Sequence, residues 1–482
     1  MPFDDDAAYQ ALRTHDARFD GRLFVGVRST GIYCRPVCRV RVPLRRNCHF
    51  FANAASAERQ GFRPCLRCRP ELAPGLALVD SSHALAAQAA RMIEQATRDG
   101  SALYVDQLAG RLGITDRHLR RIFQRAHGVT PVDYLATQRL LLAKQLLTDT
   151  ALPVTQVALA SGFSSLRRFN AVFAERYRMS PSRLRKDNGE DAPPHATPLL
   201  RLAYRPPYDI DGVLRFLAQR AMPGVETVAG LQWRRTLAVA QRAQVHRGWF
   251  SCDFEPSRHE VRVTVSPGLL PVLGVVLLRL RQALDLDADP APIDACLQSL
   301  PAPQRPGVRV PGAVDGFETA VRIVLGQQIS VAAARTLAAR LADALGEPVA
   351  TPFADLRRLF PTADAIAAAD PARIGKLGIV RQRVRALQAL AAEAAGGRLQ
   401  LRPAAPLQPT LAALRALPGI GEWTVQLIAM RVLAWPDAFA ATDIALLNAL
   451  GTRDARAASA RAEAWRPWRA YALMRLWQTL EK

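Results

Sequence analysis

The chain lacks any run approaching the ~20 consecutive apolar residues that a membrane-spanning helix needs. It also lacks the basic start of a secretory leader, because Asp4, Asp5 and Asp6 stand where such a leader carries positive charge. Both absences point to a cytoplasmic protein. Cysteine is sparse: seven residues, an odd number without an export signal, argue against a disulfide framework and leave the thiols as metal ligands or nucleophiles. No repeat of solenoid period is visible. Acid is short relative to base, 42 Asp and Glu against 64 Lys and Arg, for a net charge of +22. That excess is spread as +5 over residues 1–80, +8 over 81–188 and +9 over the remainder, so no single tail carries it. The balance suits every part of the chain for an anionic partner, nucleic acid first, although free use of arginine by a GC-rich genome gives the same balance.

What is present is enough chain, 482 residues, for two to four cores. Turn-rich breaks fall at Arg69–Gly75 and in the polar run from Lys186 to Pro198. Before the first break, short strand-like runs such as Arg22–Val27 alternate with turn residues. Residues 83–185 show the three- and four-residue apolar spacing of helices. The stretch from Leu199 to about Ser266 contains alternating segments, Glu260–Val265 among them, and nearly everything after Pro311 reads as Ala/Leu-rich helix. The expected fold is multidomain and mainly α. It comprises a small α/β four-cysteine domain (1–78), an all-α tandem helix-turn-helix domain (83–186), a linker (187–198), an α+β lobe (199–310) and a helix-hairpin-helix domain (311–482).

Cys34 and Cys38 form a CxxxC pair and Cys65 and Cys68 a CxxC pair, with 26 residues between them. Each short spacing lets two sulfurs face one metal, and two such pairs complete a tetrahedral zinc site. The competing reading is two unrelated pairs of small buried thiols. Cys48 lies outside both pairs and reads as a core residue. Spacing alone does not say which sulfur reacts. The segments Thr30-Gly31-Ile32-Tyr33-Cys34-Arg35-Pro36-Val37-Cys38-Arg39 and Gly61-Phe62-Arg63-Pro64-Cys65-Leu66-Arg67-Cys68 resemble the N-terminal domain of the Ada adaptive-response family. That resemblance implies one bound zinc, with Cys34 as the thiolate that takes a methyl group from a methylphosphotriester in DNA. Methylation would remove one negative charge from a four-thiolate site and relieve repulsion from DNA, making the same chemistry a sensor.

Two helix-turn-helix patterns follow. In the first, Val105–Ile114 leads through Gly113 into a helix from Thr115 to His127, with Thr115 as its N-cap. In the second, Val154–Ala160 and Ser161-Gly162-Phe163 lead into Ser164–Tyr177, closed by Ser180-Pro181. A helical pair that merely packs together is the alternative for either motif alone. The tandem pattern resembles the AraC-type DNA-binding domain, with Arg117, Arg121, Arg167 and Arg168 on the DNA-facing helices. It departs from that pattern at Arg178, where a glycine is usual, a change that would shift the helix end. The resemblances together imply a partner role for RNA polymerase once the protein is activated.

The last part carries Leu417-Pro418-Gly419-Ile420-Gly421-Glu422-Trp423-Thr424, two glycines in a tight turn between helices where backbone N–H groups can approach a phosphate. Asp443 follows 22 residues after Gly421, just before an apolar helix. A bare carboxylate there is more often an N-cap than a catalyst, and the glycine hairpin before it reverses that preference. From Leu202 onward the chain resembles the AlkA-type 3-methyladenine-DNA glycosylases, through Pro206-Pro207-Tyr208-Asp209, Leu325-Gly326-Gln327-Gln328-Ile329-Ser330 and Trp465–Arg469. The resemblance implies that Asp443 is the catalytic aspartate and that Gly419 and Gly421 bind phosphate. Trp423 and Trp477 would flank the base pocket. Gln327 and Gln328 would lie in the DNA-binding segment, with Gln328 filling the stack after base flipping. It implies no cofactor for excision. No lysine lies between Pro418 and Asp443, so no amine is placed for a Schiff base and strand cleavage is not expected. Leu427 and Ile444 stand where aromatic pocket residues are expected. Two rival readings are a pure transcription regulator whose last part only binds DNA, and a structural zinc protein without methyl transfer.

Overall fold

The computed structural model describes residues 5–15, 23–38, 40–68, 70, 78–98, 105–149, 152–163, 165–187, 199–241, 244–403 and 405–480. The expected linker, apart from residue 187, most of the break at 69–75, and Ser164 lie outside the described residues. Contacts divide the chain into two compact units, Met1–Ala96 with Ala102–Gln138, and Thr97–Ser101 with Arg139–Lys482. Among the described residues no helix is long and apolar enough to cross a membrane.

The first unit opens with α1 (Asp5–Arg13), β1 (Phe24–Val27), β2 (Ile32–Cys34), β3 (Cys48–Phe51), α2 (Ala54–Arg59) and β4 (Arg63–Pro64). The strands form one sheet of order β3-β1-β2-β4 in which only the β2–β4 pair is parallel. Three further helices, α3 (Leu78–Arg98), α4 (Val105–Arg111) and α5 (Asp116–His127), pack around Ile93, Leu108, Leu119 and Phe123 together with Leu135 of α6 (Pro131–Asp149). The division between the two units falls within α6.

The second unit contains α7 (Val154–Ala160), α8 (Leu166–Tyr177) and α9 (Pro181–Asp187). A five-stranded antiparallel sheet follows, built from β5 (Leu199–Ala203), β6 (Glu226–Ala229), β7 (Gln232–Gln241), β8 (Gln244–Glu255) and β9 (Glu260–Val265) in the order β5-β9-β8-β7-β6. The alternation read in Glu260–Val265 is real: Val261, Val263 and Val265 are fully buried while the residues between them are partly exposed. One face of the sheet is covered by α10 (Ile210–Arg220) and α11 (Leu273–Ala283), with Val213, Trp233, Phe250 and Val276 in a shared core.

The remaining helices are α12 (Pro290–Cys296), α13 (Gly316–Leu325), α14 (Val331–Leu345), α15 (Ala363–Ala368), α16 (Pro371–Gly375), α17 (Arg381–Ala395), α18 (Leu407–Arg415), α19 (Glu422–Arg431), α20 (Ile444–Ala449), α21 (Ala455–Ala462) and α22 (Arg469–Gln478). Several start on side-chain caps: Asp315, Ser330, Thr362, Asp370 and Asp454 each accept a backbone N–H of the first turn. Their apolar faces meet in one core that includes Val321, Val324, Leu387, Ile428 and Leu473. Each such fully buried side chain contributes roughly 1.5–3 kcal/mol. A buried ionic knot joins sheet to helices: Arg235 contacts Glu226 (3.4 Å) and Glu318 (2.5 Å), and Arg322 contacts the same two carboxylates (2.8 and 3.1 Å). Burial alone would push the Glu226 carboxyl up, but the two guanidiniums hold it below the usual range.

Candidate functional site

Pairing sets up the four-cysteine cluster. Parallel β2 and β4 place Tyr33 beside Pro64, so Cys34 and Cys65 leave the sheet at the same edge, tied by the Cys65 N–H to the Tyr33 carbonyl at 3.0 Å. A turn closed by the Cys38 N–H to the Arg35 carbonyl (3.0 Å) returns Cys38 toward Cys34. The sulfurs of Cys34, Cys38, Cys65 and Cys68 all lie within 4.8 Å of one another and all four residues are buried. Four sulfurs on one zinc at ~2.3 Å lie about 3.8 Å apart, so the set fits a tetrahedral ion. The Arg35 N–H donates to the Cys68 sulfur at 3.5 Å, as expected where a sulfur carries negative charge. Cys48 points elsewhere, into the core with Leu23, Val25 and Phe50.

Both helix-turn-helix motifs have the expected local geometry. Gly113 (φ +66°) turns the chain between α4 and α5, and Thr115 caps α5 by accepting the His118 N–H at 3.2 Å. Gly162 (φ +83°) does the same between α7 and α8, where Ser165 supplies the cap to the Arg168 N–H at 3.3 Å. Arg117, Arg121, Arg167 and Arg168 are all exposed. The Arg178 departure does not shift the helix end. Arg178 itself takes the left-handed conformation, φ +57°, that Gly128 (φ +74°) takes after α5, and it donates its N–H to the Ala174 carbonyl at 2.9 Å.

The glycines of the hairpin between α18 and α19 serve different ends. Gly419 has φ +76°, a left-handed backbone, and an added Cβ would sit 3.1 Å from the Ala386 methyl. Gly421 needs no special backbone, and an added Cβ there would have nothing within 4 Å, so no side chain crowds the start of α19 at this residue. Ile420 is buried and anchors the turn. On the outer side Arg415 grips Glu422 with two bonds (2.8 and 2.9 Å), which holds that carboxyl below its usual range.

Asp443 sits at the start of α20 and is 7 % exposed. Its Oδ1 accepts the Leu446 N–H at 2.8 Å, so it is the N-cap; it also accepts the indole N–H of Trp477 at 2.9 Å, from α22. Its Oδ2 accepts the indole N–H of Trp423 at 2.8 Å, from α19. The fold thus brings together three residues separated by 20 and 34 positions, each indole aimed at one carboxylate oxygen. Such a carboxylate is fixed in direction by charge-assisted bonds. Leu427 is buried, whereas Ile444 is 73 % exposed beside Asp443. The loop after α13 lies against the hairpin: Gln328 is exposed with φ +56°, while the Gln327 amide turns inward to the Gly419 carbonyl (2.9 Å) and the Thr424 hydroxyl (3.0 Å). Sequence reasoning missed Arg383 of α17, which donates to the Gln327 carbonyl. Nothing in the Arg-rich run 381–385 distinguishes this side chain from its exposed neighbours.

Comparison with known proteins covers every part of the chain. Family models match as the metal binding domain of Ada (residues 7–71), a helix-turn-helix domain (108–187), the AlkA N-terminal domain (199–315) and the HhH-GPD superfamily of base excision DNA repair proteins (321–468). The probable bifunctional transcriptional activator/DNA repair enzyme AlkA of Mycobacterium tuberculosis is 40% identical over 100% of this chain and 97% of its own length. The chain belongs to this bifunctional AlkA family. Two parts of it also resemble separate proteins of Escherichia coli. DNA-3-methyladenine glycosylase 2 is 37% identical over 58% of this chain and 96% of the relative. The bifunctional activator/repair enzyme Ada is 40% identical over 26% of this chain and 34% of the relative. Membership of the AlkA family thus joins the four-cysteine and helix-turn-helix parts to a base-excision domain in one chain.

Proposed function

We propose that this activator and repair enzyme removes alkylated purines such as 3-methyladenine at Asp443 and senses alkylation at Cys34. The observation that carries the excision reading is the carboxylate of Asp443, held on both oxygens by the Trp423 and Trp477 indoles, one of them two residues beyond the uncrowded Gly421 of the hairpin. An alkylated purine already carries positive charge, so its bond to C1′ is weak and the departing base takes the bonding pair without needing a proton. The Asp443 carboxylate stabilises the oxocarbenium-like sugar, and water adding to C1′ gives up its proton to that carboxylate. Trp423 and Trp477 flank the cationic base, and Gly419 and Gly421 hold a phosphate of the flipped strand. Gln328 enters the vacated stack. With no lysine between Pro418 and Asp443 the product is an abasic site in an unbroken strand.

In the Ada-like part, one zinc would be held by Cys34, Cys38, Cys65 and Cys68 and would keep the thiols ionised. The Cys34 sulfur attacks the methyl carbon of a methylphosphotriester, the C–O bond breaks, and the phosphate leaves as an ordinary diester anion. Arg117, Arg121, Arg167 and Arg168 contact promoter DNA, and the methylated protein engages RNA polymerase in the cytoplasm, at the nucleoid. We assign these roles to segments 1–78, 83–186, 199–310 and 311–482, with 187–198 as linker.

The test is release of free 3-methyladenine from methylated duplex DNA by the wild type and by Asp443→Asn folded to the same extent. Release by the wild type alone supports the assignment. Equal release by both removes Asp443 from the mechanism, and no release by either, with DNA binding retained, favours the pure regulator.

A further inference from the structure

The geometry points to Gln327 as a positioning residue that locks the strand-filling loop to the phosphate hairpin, with Arg383 as its clamp. This rests on the reading that the hairpin and Gln328 meet DNA. The sequence puts Gln327 among residues that would touch DNA, but its side-chain N–H groups are directed into the protein. One amide nitrogen bridges the Gly419 carbonyl at 2.9 Å and the Thr424 hydroxyl at 3.0 Å. Thr424 is 1 % exposed and one residue from Trp423, so this bridge ends beside an indole that grips Asp443.

The main chain of Gln327 is held as well. The Arg383 guanidinium donates to its carbonyl from α17, whose Ala386 methyl is 3.1 Å from where a Cβ on Gly419 would lie. Gln327 therefore touches both walls of the hairpin's seat, and the next residue, Gln328, is left in a left-handed backbone at φ +56°. A non-glycine residue holds that conformation only where its surroundings over-determine it. The three bonds on Gln327, to Gly419, Thr424 and Arg383, are that constraint. Their consequence is mechanical: when a phosphate pulls the hairpin into register, the loop bearing Gln328 moves with it, so phosphate capture and insertion into the stack happen together.

The experiment compares binding to two duplexes, one undamaged and one with a tetrahydrofuran abasic-site analogue, for wild type, Gln327→Met, Arg383→Met, Arg383→Lys and Gln328→Ala. Hairpin contacts act on both duplexes, whereas a residue entering the stack favours the one with a gap. The expected result is that Gln327→Met and Arg383→Met lose preference for the abasic duplex by roughly the tenfold that one hydrogen bond provides. Affinity for undamaged DNA should stay within about twofold, a difference that would be small on the same scale. Arg383→Lys, which keeps a donor, should restore most of the preference. If Gln327 instead contacts DNA directly, both affinities fall together and the ratio is unchanged, which overturns the inference. A lowered melting temperature with an unchanged ratio also overturns it, leaving only a structural prop. If Gln328→Ala keeps the full preference, or the wild type has none, the underlying reading of the loop fails and the inference with it.

Discussion

Replacing Trp423 by phenylalanine removes one N–H and leaves an aromatic ring. In the native protein that N–H is the contact to Asp443 Oδ2 (2.8 Å), while Oδ1 has two, from Leu446 and Trp477. A hydrogen bond to a charged group is worth about 1.5–3 kcal/mol, and each 1.36 kcal/mol is tenfold in rate. The bond serves the reaction only as far as it fixes the carboxylate's direction at the sugar, so those energies bound the effect at about 10- to 150-fold. Trp423→Phe is expected to slow single-turnover release of 3-methyladenine by about that range, without changing affinity for undamaged duplex. Trp477→Phe should slow it less, because the Leu446 N–H still holds Oδ1. Quench-flow at saturating enzyme, with released base counted directly, separates the chemical step from binding. A Trp423→Phe rate within twofold of wild type, or a loss appearing wholly in binding, would refute the view that the indole N–H groups orient Asp443.

Other consequences concern stability. Burial raises the Asp285 carboxyl from 3.8 to about 6, against the opposing bonds from the Val310 N–H and the Tyr471 hydroxyl. The folded state therefore keeps this proton where the unfolded chain has lost it, so the group's contribution is greatest below about pH 4 and falls as pH rises through about 6. The stability gap between Asp285→Asn and wild type should shift by about 3 kcal/mol in favour of the variant across that window, read from urea unfolding at successive pH values. No shift would mean that Asp285 is solvated. Arg235→Leu strands the buried Glu226 and Glu318 with only Arg322 and should cost about 3–5 kcal/mol, seen as a lower melting temperature; a loss under 1 kcal/mol would contradict the knot. Arg178→Gly relieves a left-handed arginine and should raise the stability of the second helix-turn-helix by about 0.5–1 kcal/mol, whereas destabilisation would argue against the φ of +57°.

How much of this was legible depended on how local each signal was. The turn at Gly113 and the cap at Thr115 are decided within four residues and could be read directly, as could the alternation of Glu260–Val265. The cysteine spacings foretold a cluster, and β2–β4 pairing then brought the two pairs together. The hairpin and Asp443 were found by motif, yet the partners of Asp443 depend on where α19 and α22 cross, which periodicity does not fix. Gln327 shows the limit most clearly: its place in the chain suggested DNA, and only the packing of α17 and the hairpin reveals that its amide faces inward. The ionic knot of Arg235, Arg322, Glu226 and Glu318 was equally hidden, since four charges spread over about a hundred residues look like ordinary surface.

In the proposed function two independent chemistries share one chain. The most direct measurement follows both in a single preparation, using DNA that carries methylphosphotriesters and 3-methyladenine. Free base is counted, and the protein is digested to map the added methyl. Wild type should do both, Cys34→Ser should release base without acquiring methyl at residue 34, and Asp443→Asn should be methylated on Cys34 without releasing base. Loss of both activities in either variant, or methyl found on a different cysteine, would contradict the account.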